Sequence, residues 1–478
     1  MAFTNGTGAD KGPLGLKAVP SKYVSLGNLV DPTKPSNMDL LVKTFGDQGI
    51  TGFLELTGAT KSVATADEAQ WWEEGRIHRY MRGDLAAAAA GAAAVFTIDQ
   101  IDGVAVDAAA AGAAEADNFV RLNDIILLDN GRRFIVTAYT TDDTYQISLL
   151  PLDKGAVSAA LTDRQANVIG NLYAQGTSQP TQFYQTQVTK RTNPLFITKE
   201  TFHVTGSAAT NIGWVDVGNG DYRWFVKGEM DTRKRFLNQR EAMLMYNQLS
   251  ARTTGTQLTS GGIVGSEGYF SAIENRGIVV DQTGTGADVI GFGSGEMADM
   301  DRIILAIDKE GGASEYAMYV DLATSLAVDN MIAGGTGSLT SNGVMGQFGA
   351  FNNKPEMAIQ LGFKSFTRGG YTIHKHDWKM LNDPTLGGVF ASSTATGAVV
   401  GAMLPLANVA DPKTGDRSPA LEMVYKSAGG YSRDVEHWVT GGGVLGYNTD
   451  GDDLAKFNYR SEVALVTRAA NQHVLLKK

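Results

Sequence analysis

Between residues 220 and 252, apolar side chains return at helical intervals: Tyr222, Phe225, Val226, Met230, Phe236, Leu237, Met243, Leu244 and Leu249. The run contains no proline, and its only interior glycine is Gly228. Charges fill the gaps, with Glu229–Arg233 and Asp231–Arg235 spaced i,i+4 in the favoured acid-first order. This pattern predicts one helix over 220–252, a rod of about 45 Å at 1.5 Å per residue. Helices average about 11–12 residues. A rod of this length outgrows a small core, so it is expected to serve as a strut for other elements.

Elsewhere the apolar period drops to two. Within 95–152, four segments read as strands (VFTIDQIDGVAV, FVRLNDIILLDNG, RRFIVTAYTTDD and TYQISLLPL), with a hairpin signal at Asn130-Gly131 and a second turn at 141–144. Together they predict a small inserted sheet or barrel. The alanine-rich tracts at 86–94 and 108–116 read as connectors. Upstream, 49–58 is strand-like, and 67–81 suits either an exposed strand or a short helix. Residues 1–50 hold four prolines and little to pack, which predicts an extended arm needing another surface. Extended, threonine-rich sequence occupies 177–214. Past the long helix, 297–309 and 322–333 read as amphipathic helices flanking a strand at 316–320, and 364–376 reads as a hairpin turning at Gly369-Gly370. Alternation returns at 420–426, 433–440 and 458–469. No solenoid repeat is present.

Composition narrows the function more than the fold. The chain has 478 residues, enough for two or three domains, and its 57 glycines favour turns and a large β component. A formal charge of −10 makes general phosphate binding a poor expectation. The absence of cysteine removes disulfides, thiolate metal sites and cysteine nucleophiles together. The amino-terminal sequence is polar and glycine-rich, unlike a signal peptide, and the most apolar run, 85–98, is too short to span a bilayer. A soluble cytoplasmic protein is expected, with no membrane partner.

Chemical motifs are sparse. No Gly-Lys dipeptide occurs, so a Walker A loop is excluded, and neither G-x-S-x-G nor H-E-x-x-H is found. The glycine-rich stretch 284–295 follows no βα unit and reads as a surface loop. His374 and His376 share a strand face, but two imidazoles make no complete metal site. The acidic clusters at 142–143 and 450–453 do not fit a calcium loop. Arg233, Lys234 and Arg235 spread around a helix as a solvated face. No enzyme, cofactor or metal is expected.

The order of the elements is similar to that of the major capsid proteins of tailed bacteriophages, the Hong Kong 97-type fold, and closest among them to those of the crAss-like phages. The resemblance is carried by TKETFHVTGSA (198–208) before the long helix, GYFSAIENRG (268–277), DRIILAID with EYAMYVDLATSLAVDNMIAG, FTRGGYTIHKHDWKMLND (366–383), and the closing ALEMVYKSAGGYSRDVEHWVTGG and NYRSEVALVTRAANQHVLL. It implies an α+β fold with an N-terminal arm at 1–50 and an extended-loop region at 51–94 and 153–200. It further implies a peripheral domain at 201–265 with spine helix 220–252, an axial domain at 266–390, and peripheral return strands at 391–478. The unit at 95–152 is an insertion that a minimal version of the fold lacks.

The same resemblance implies a shell subunit that self-assembles into pentamers and hexamers of an icosahedral head. Double-stranded DNA would be enclosed without sequence-specific binding. Portal, scaffold and auxiliary head proteins would be its partners, the host bacterial cytoplasm its place of assembly, and the virion its final location. Spine-helix residues Phe225, Glu229, Arg233, Phe236, Arg240 and Met243 are the implied self-assembly residues. Two other readings stand behind it: a head-decoration or tail structural protein, and a secreted hydrolase. Deleting residues 1–45 should leave the fold intact by circular dichroism yet reduce assembly; shells that close normally without the arm would sink this reading of it.

Overall fold

In the computed structural model, the described residues are 60–64, 66–75, 77–105, 119–140, 143–180, 186, 188–210, 224–249, 265–281, 297–334, 365–382, 398–406, 409–410, 417–443, 446, 448–449 and 451–477. The arm at 1–50, the segment 49–58, the second alanine tract and the glycine-rich stretches 253–264 and 284–295 lie outside them. The chain divides into two compact units, Met1–Trp71 with Thr192–Lys478, and Trp72–Arg191. It is mixed α and β, and mostly β.

The first unit opens with β1 (Thr60–Ala64), followed by β2 (Glu68–Glu74), which leads into the second unit. That second unit contains β3 (Tyr80–Leu85), β4 (Ala94–Ile101), β5 (Val104–Ala105), β6 (Asp124–Leu128), β7 (Arg133–Thr140), β8 (Asp143–Pro151) and β9 (Leu161–Asn171). Their order is β3-β9-β6-β7-β8-β4-β5, and β3 also pairs with β4. The extra pairing closes a six-membered antiparallel ring, a barrel without free edges. Alternate residues point inward, so Phe96, Ile98, Ile126, Leu128, Phe134, Val136, Ile147 and Leu149 fill the interior.

Closure depends on Gly83. A Cβ there would sit 1.9 Å from the Thr97 carbonyl oxygen, and the β3–β4 register shifts beside it. This compact β unit is therefore larger than the expected 95–152. Four strands would leave two open edges, and β3 and β9 complete the circuit. Strand β9 was not expected because it is mostly polar, with Ala166 its only buried residue. The segment 67–81 is strand rather than helix.

The return strand β10 (Val188–Pro194) pairs with β2 as a two-stranded ribbon. Next come β11 (Phe196–Thr205), α1 (Gly206–Thr210) and α2 (Trp224–Tyr246). The expected helix over 220–252 thus ends at Tyr246, giving 23 residues and about 34 Å. Its stop is local. Asn247 folds its side-chain oxygen onto the Gln248 amide at 3.0 Å, and its carbonyl accepts the Gly268 amide at 2.8 Å.

Beyond α2 follow α3 (Tyr269–Arg276), β12 (Ile278–Asp281), α4 (Met297–Lys309), β13 (Glu315–Val320) and α5 (Leu322–Gly334). Then come β14 (Ser365–Arg368), β15 (Tyr371–Asp377), α6 (Lys379–Asn382), β16 (Val399–Pro405), β17 (Val409–Ala410) and β18 (Arg417–Ser418). The last strands are β19 (Leu421–Ala428), β20 (Tyr431–Ser432), β21 (Glu436–Gly441), β22 (Leu454–Thr467) and β23 (Val474–Lys477).

Two sheets organise this unit. One runs β1-β19-β22-β11, with β20 on β19 and β21 on β22; the other runs β12-β23-β16-β13-β15-β14. The second draws β16 and β23 from the last 88 residues, so 391–478 does not return wholly to the first sheet as expected. Both faces of this second sheet are covered. Along β13, Tyr316, Met318 and Val320 face α4 and α5, while Ala317 and Tyr319 face the other core. That explains the unbroken apolar run of EYAMYV. Helix α4 presents Met300, Ile303, Ile304 and Ile307, an i,i+3,i+4,i+7 stripe. Helix α5 is capped by Asp321, whose carboxylate accepts the Thr324 amide at 2.9 Å.

Between the two sheets lies α3. Tyr269, Phe270, Ala272 and Ile273 are buried, and Phe270 meets the ring of Tyr246 edge-on at 4.9 Å. His473 is fully buried beside it, its Nδ1 sharing a hydrogen bond of 3.0 Å with the Tyr269 hydroxyl. Burial drives the imidazole pKa down to about 3, so the ring is neutral in the folded chain. The unfolded chain takes up this proton near the ordinary value of about 6.5, whereas the folded chain cannot. Stability supplied here is therefore complete above about pH 6.5 and is lost as pH falls toward 3. In denaturant unfolding at about pH 7 and about pH 4, His473→Gln should shrink the pH-dependent loss by up to roughly 3 kcal/mol. An unchanged loss would refute this assignment.

Candidate assembly surface

Of the six implied spine-helix residues, three face inward. Phe236 is 1% exposed and packs its ring 5.8 Å from that of Tyr459 on β22. Glu229 accepts the Tyr459 hydroxyl at 2.8 Å, and His437 stacks on the same tyrosine at 4.8 Å. Burial first, then the Glu229 carboxylate, pushes the Tyr459 hydroxyl well above its ordinary pKa. Arg240 donates to the Asp434 carboxylate at 2.8 Å and to its carbonyl at 3.1 Å. These side chains pack the helix onto its own sheet within the subunit. Arg233 and Met243 are exposed. Phe225 lies on the first turn of the helix, and its side chain is outside the described residues.

The expected i,i+4 pairs are also replaced. Asp231 pairs with Lys227 a turn earlier, and Arg235 reaches Glu200 on β11 at 2.7 Å. Strand neighbours thus take Glu229 and Arg235, while Asp231 keeps a helix partner. The lone helix glycine has a packing reason: a Cβ on Gly228 would approach the Phe202 ring at 2.7 Å. Glycine costs a helix interior about 1 kcal/mol relative to alanine, and here it lets α2 lie close to β11.

The histidine pair lies on one strand, in different surroundings. On β15, His374 is half-buried, whereas exposed His376 stacks on Tyr319 at 5.3 Å. Among the described residues no group of three or more His, Asp or Glu is placed to hold a metal ion. Asp452 and Asp453 lie on an exposed turn, where the Asp453 carbonyl accepts the Gly206 amide at 3.2 Å.

The β2–β10 ribbon carries two of the exposed large apolar side chains, beside others such as Met230, Leu305 and Leu326 elsewhere. Trp72 is 66% exposed and Val188 56%, and Ile77 just past β2 is 71%. Lys190 lies over the Trp72 ring at 5.9 Å, and Arg191 pairs with Glu73 at 3.2 Å across the strands. A two-stranded ribbon is marginal in water by itself, and among the described residues no third strand pairs with this one. The sequence signal was the Trp71-Trp72 pair. In a strand such neighbours point to opposite faces: Trp71 is buried with Ala69, Val424 and Val466, which leaves Trp72 outside. No helix of the described residues is long and apolar enough to cross a membrane.

No protein-family model matches the chain, and no curated protein matches it. Chains of solved phage particles are similar to it over nearly their whole length. One from Microbacterium phage Oxtober96 shows 8% identity and a TM-score of 0.38, covering 95% of this chain and 99% of that one. The capsid chain of a native GTA particle shows 10% identity and a TM-score of 0.38, covering 96% and 99%. The capsid chain of Cyanophage P-SCSP1u shows 10% identity and a TM-score of 0.39, covering 96% and 98%. At TM-scores this low, the likeness by itself defines neither a family nor a function.

Replacing Gly228 with leucine should lower stability by about 1–3 kcal/mol, because the added side chain meets the Phe202 ring in a packed layer. Thermal or denaturant unfolding of the variant measures this; an unchanged midpoint would show that the close approach is not needed.

Proposed function

We propose that this chain is a structural subunit of a tailed-phage head, acting through contact rather than chemistry. The observation that carries the reading is the exposed Trp72–Val188 ribbon, an apolar surface that an isolated subunit leaves in water. The order of elements supports it: a long helix on one sheet, followed by a mixed sheet with helices, as the sequence resemblance implies. The polar clusters of the first unit serve packing, and the acidic charge suits a container whose wall should not bind its cargo tightly.

In this reading the ribbon belongs to the extended loop and docks on a second copy of the chain, in head-to-tail contacts that close rings of five and six. The rings tile a shell assembled in the bacterial cytoplasm and enclosing double-stranded DNA. Portal, scaffold and auxiliary head proteins are its further partners. The exposed Arg233 and Met243 remain the spine-helix residues available to a neighbour.

The test combines sedimentation of the concentrated chain with electron microscopy. Wild type should give rings or closed shells, and Trp72→Ser should weaken association by about 30-fold or more, the scale of an interface tryptophan. Fibres, or a fixed small oligomer, would favour a tail or decoration protein. Normal assembly of the variant would remove the ribbon from the interface.

A further inference from the structure

Two turns of the second unit end in glycine, and the side chains before those glycines are held in opposite ways. At Asn130-Gly131, between β6 and β7, the Leu128 carbonyl accepts the Gly131 amide at 2.9 Å, and the Arg132 carbonyl accepts the Leu128 amide at 3.0 Å. Gly131 has φ +82°, which closes a short loop with a bulge. The Asn130 Oδ1 accepts the Arg132 amide at 3.0 Å, so the side-chain amide folds back along the peptide that follows it. Both Asn130 and Gly131 are exposed. At Asp102-Gly103, between β4 and β5, the carboxylate reaches across to the start of β3 instead. Its Oδ2 accepts from the Arg79 Nε at 2.6 Å and its Oδ1 from the Tyr80 amide at 3.1 Å.

The first arrangement sets an electrophile beside a nucleophile. Asn130 Cγ is an amide carbon whose oxygen is already hydrogen-bonded, and Gly131 brings no Cβ to shield its nitrogen. Among the described residues no other asparagine is followed by glycine. We infer that Asn130 is a spontaneous modification site, at which the chain closes a succinimide and reopens it as aspartate or isoaspartate. The Gly131 nitrogen gives its proton to solvent and bonds to Asn130 Cγ. The bond from Cγ to Nδ2 then breaks, and Nδ2 takes a proton from solvent and leaves as ammonia. Water opens the ring: addition at Cγ gives aspartate, and addition at the main-chain carbonyl carbon of Asn130 gives isoaspartate. The sum is an amide and water going to a carboxylic acid and ammonia, with nothing oxidised or reduced. The Arg132 amide helps to hold the negative charge that collects on Oδ1 as Cγ becomes tetrahedral. The bond from the Gly131 amide to Leu128 must open before attack, and an exposed hairpin tip is where such local opening is easiest.

The product changes the turn. Either acid puts a second carboxylate next to Asp129, which Arg164 pairs at 3.5 Å. Isoaspartate also routes the main chain through Cγ, which adds a methylene to the link between β6 and β7. Asp102 meets neither condition. Its carboxylate is a poor electrophile without an amine to expel, and Arg79 and Tyr80 hold it off the Gly103 nitrogen.

The full-length folded chain in mildly alkaline buffer tests this, beside the same chain in denaturant and the variant Asn130→Gln. Peptide mapping by mass spectrometry follows the loss of ammonia and the later gain of water, and chromatography separates the two acids. In the folded chain Asn130 should convert to both products, while the Asp102 peptide stays a single species. Asn130→Gln replaces an exposed turn residue, so circular dichroism should show it folded, and its ammonia loss should be about 10²-fold slower because the carbonyl carbon is displaced from the nitrogen. An Asn130 that stays intact in the folded chain while the denatured chain converts fully would overturn the inference, since the turn would then shield the site. Equal isomerisation at Asp102, or a glutamine variant as fast as wild type, would overturn it too, because the folded-back amide would then have no part in the reaction.

Discussion

The first unit depends on one wedge. Helix α3 is only eight residues long, yet four of them are buried between two sheets that otherwise have separate strand orders. Tyr269 and Phe270 reach the aromatic rings of Tyr246, Trp378 and His473, so the end of α2, the start of α6 and the approach to β23 converge there. Each such ring removes a large apolar area from water, worth about 1.5–3 kcal/mol on burial. Without the wedge, both sheets would expose an apolar face.

Several polar groups buried in this unit are held by specific partners. Asn193 has all its bonding positions filled, Glu462 is 4% exposed between Arg433 and Lys426, and Lys375 meets Asp329 beneath α5. Breaking a buried pair leaves an uncompensated charge, so these groups specify arrangement more than they add stability. The barrel of the second unit follows the opposite rule. Its interior is almost entirely apolar, and closure of the strand circuit satisfies the edges.

The surface evidence divides in the same way. Glu229, Phe236 and Arg240 hold α2 to its own sheet, while Trp72 and Val188 on the ribbon are exposed. A helix charge is as available to a strand neighbour as to a residue one turn away, and the strand neighbours prevailed at Glu229 and Arg235.

From the sequence alone, the elements with strong local signals were legible. Helix α4 falls at its expected bounds, β13 within one residue, and the turns at Asn130-Gly131 and Gly369-Gly370 join the strands expected of them. Such features are fixed by side-chain period and turn chemistry over a few residues. Tertiary structure alone decided the rest: that polar β9 closes a barrel, that β16 and β23 join the mixed sheet, that α2 stops at Asn247, and that Trp71 is buried while Trp72 is not. Each depends on partners between roughly twenty and more than three hundred residues away along the chain, and no local pattern encodes which partner a strand edge or side chain will meet.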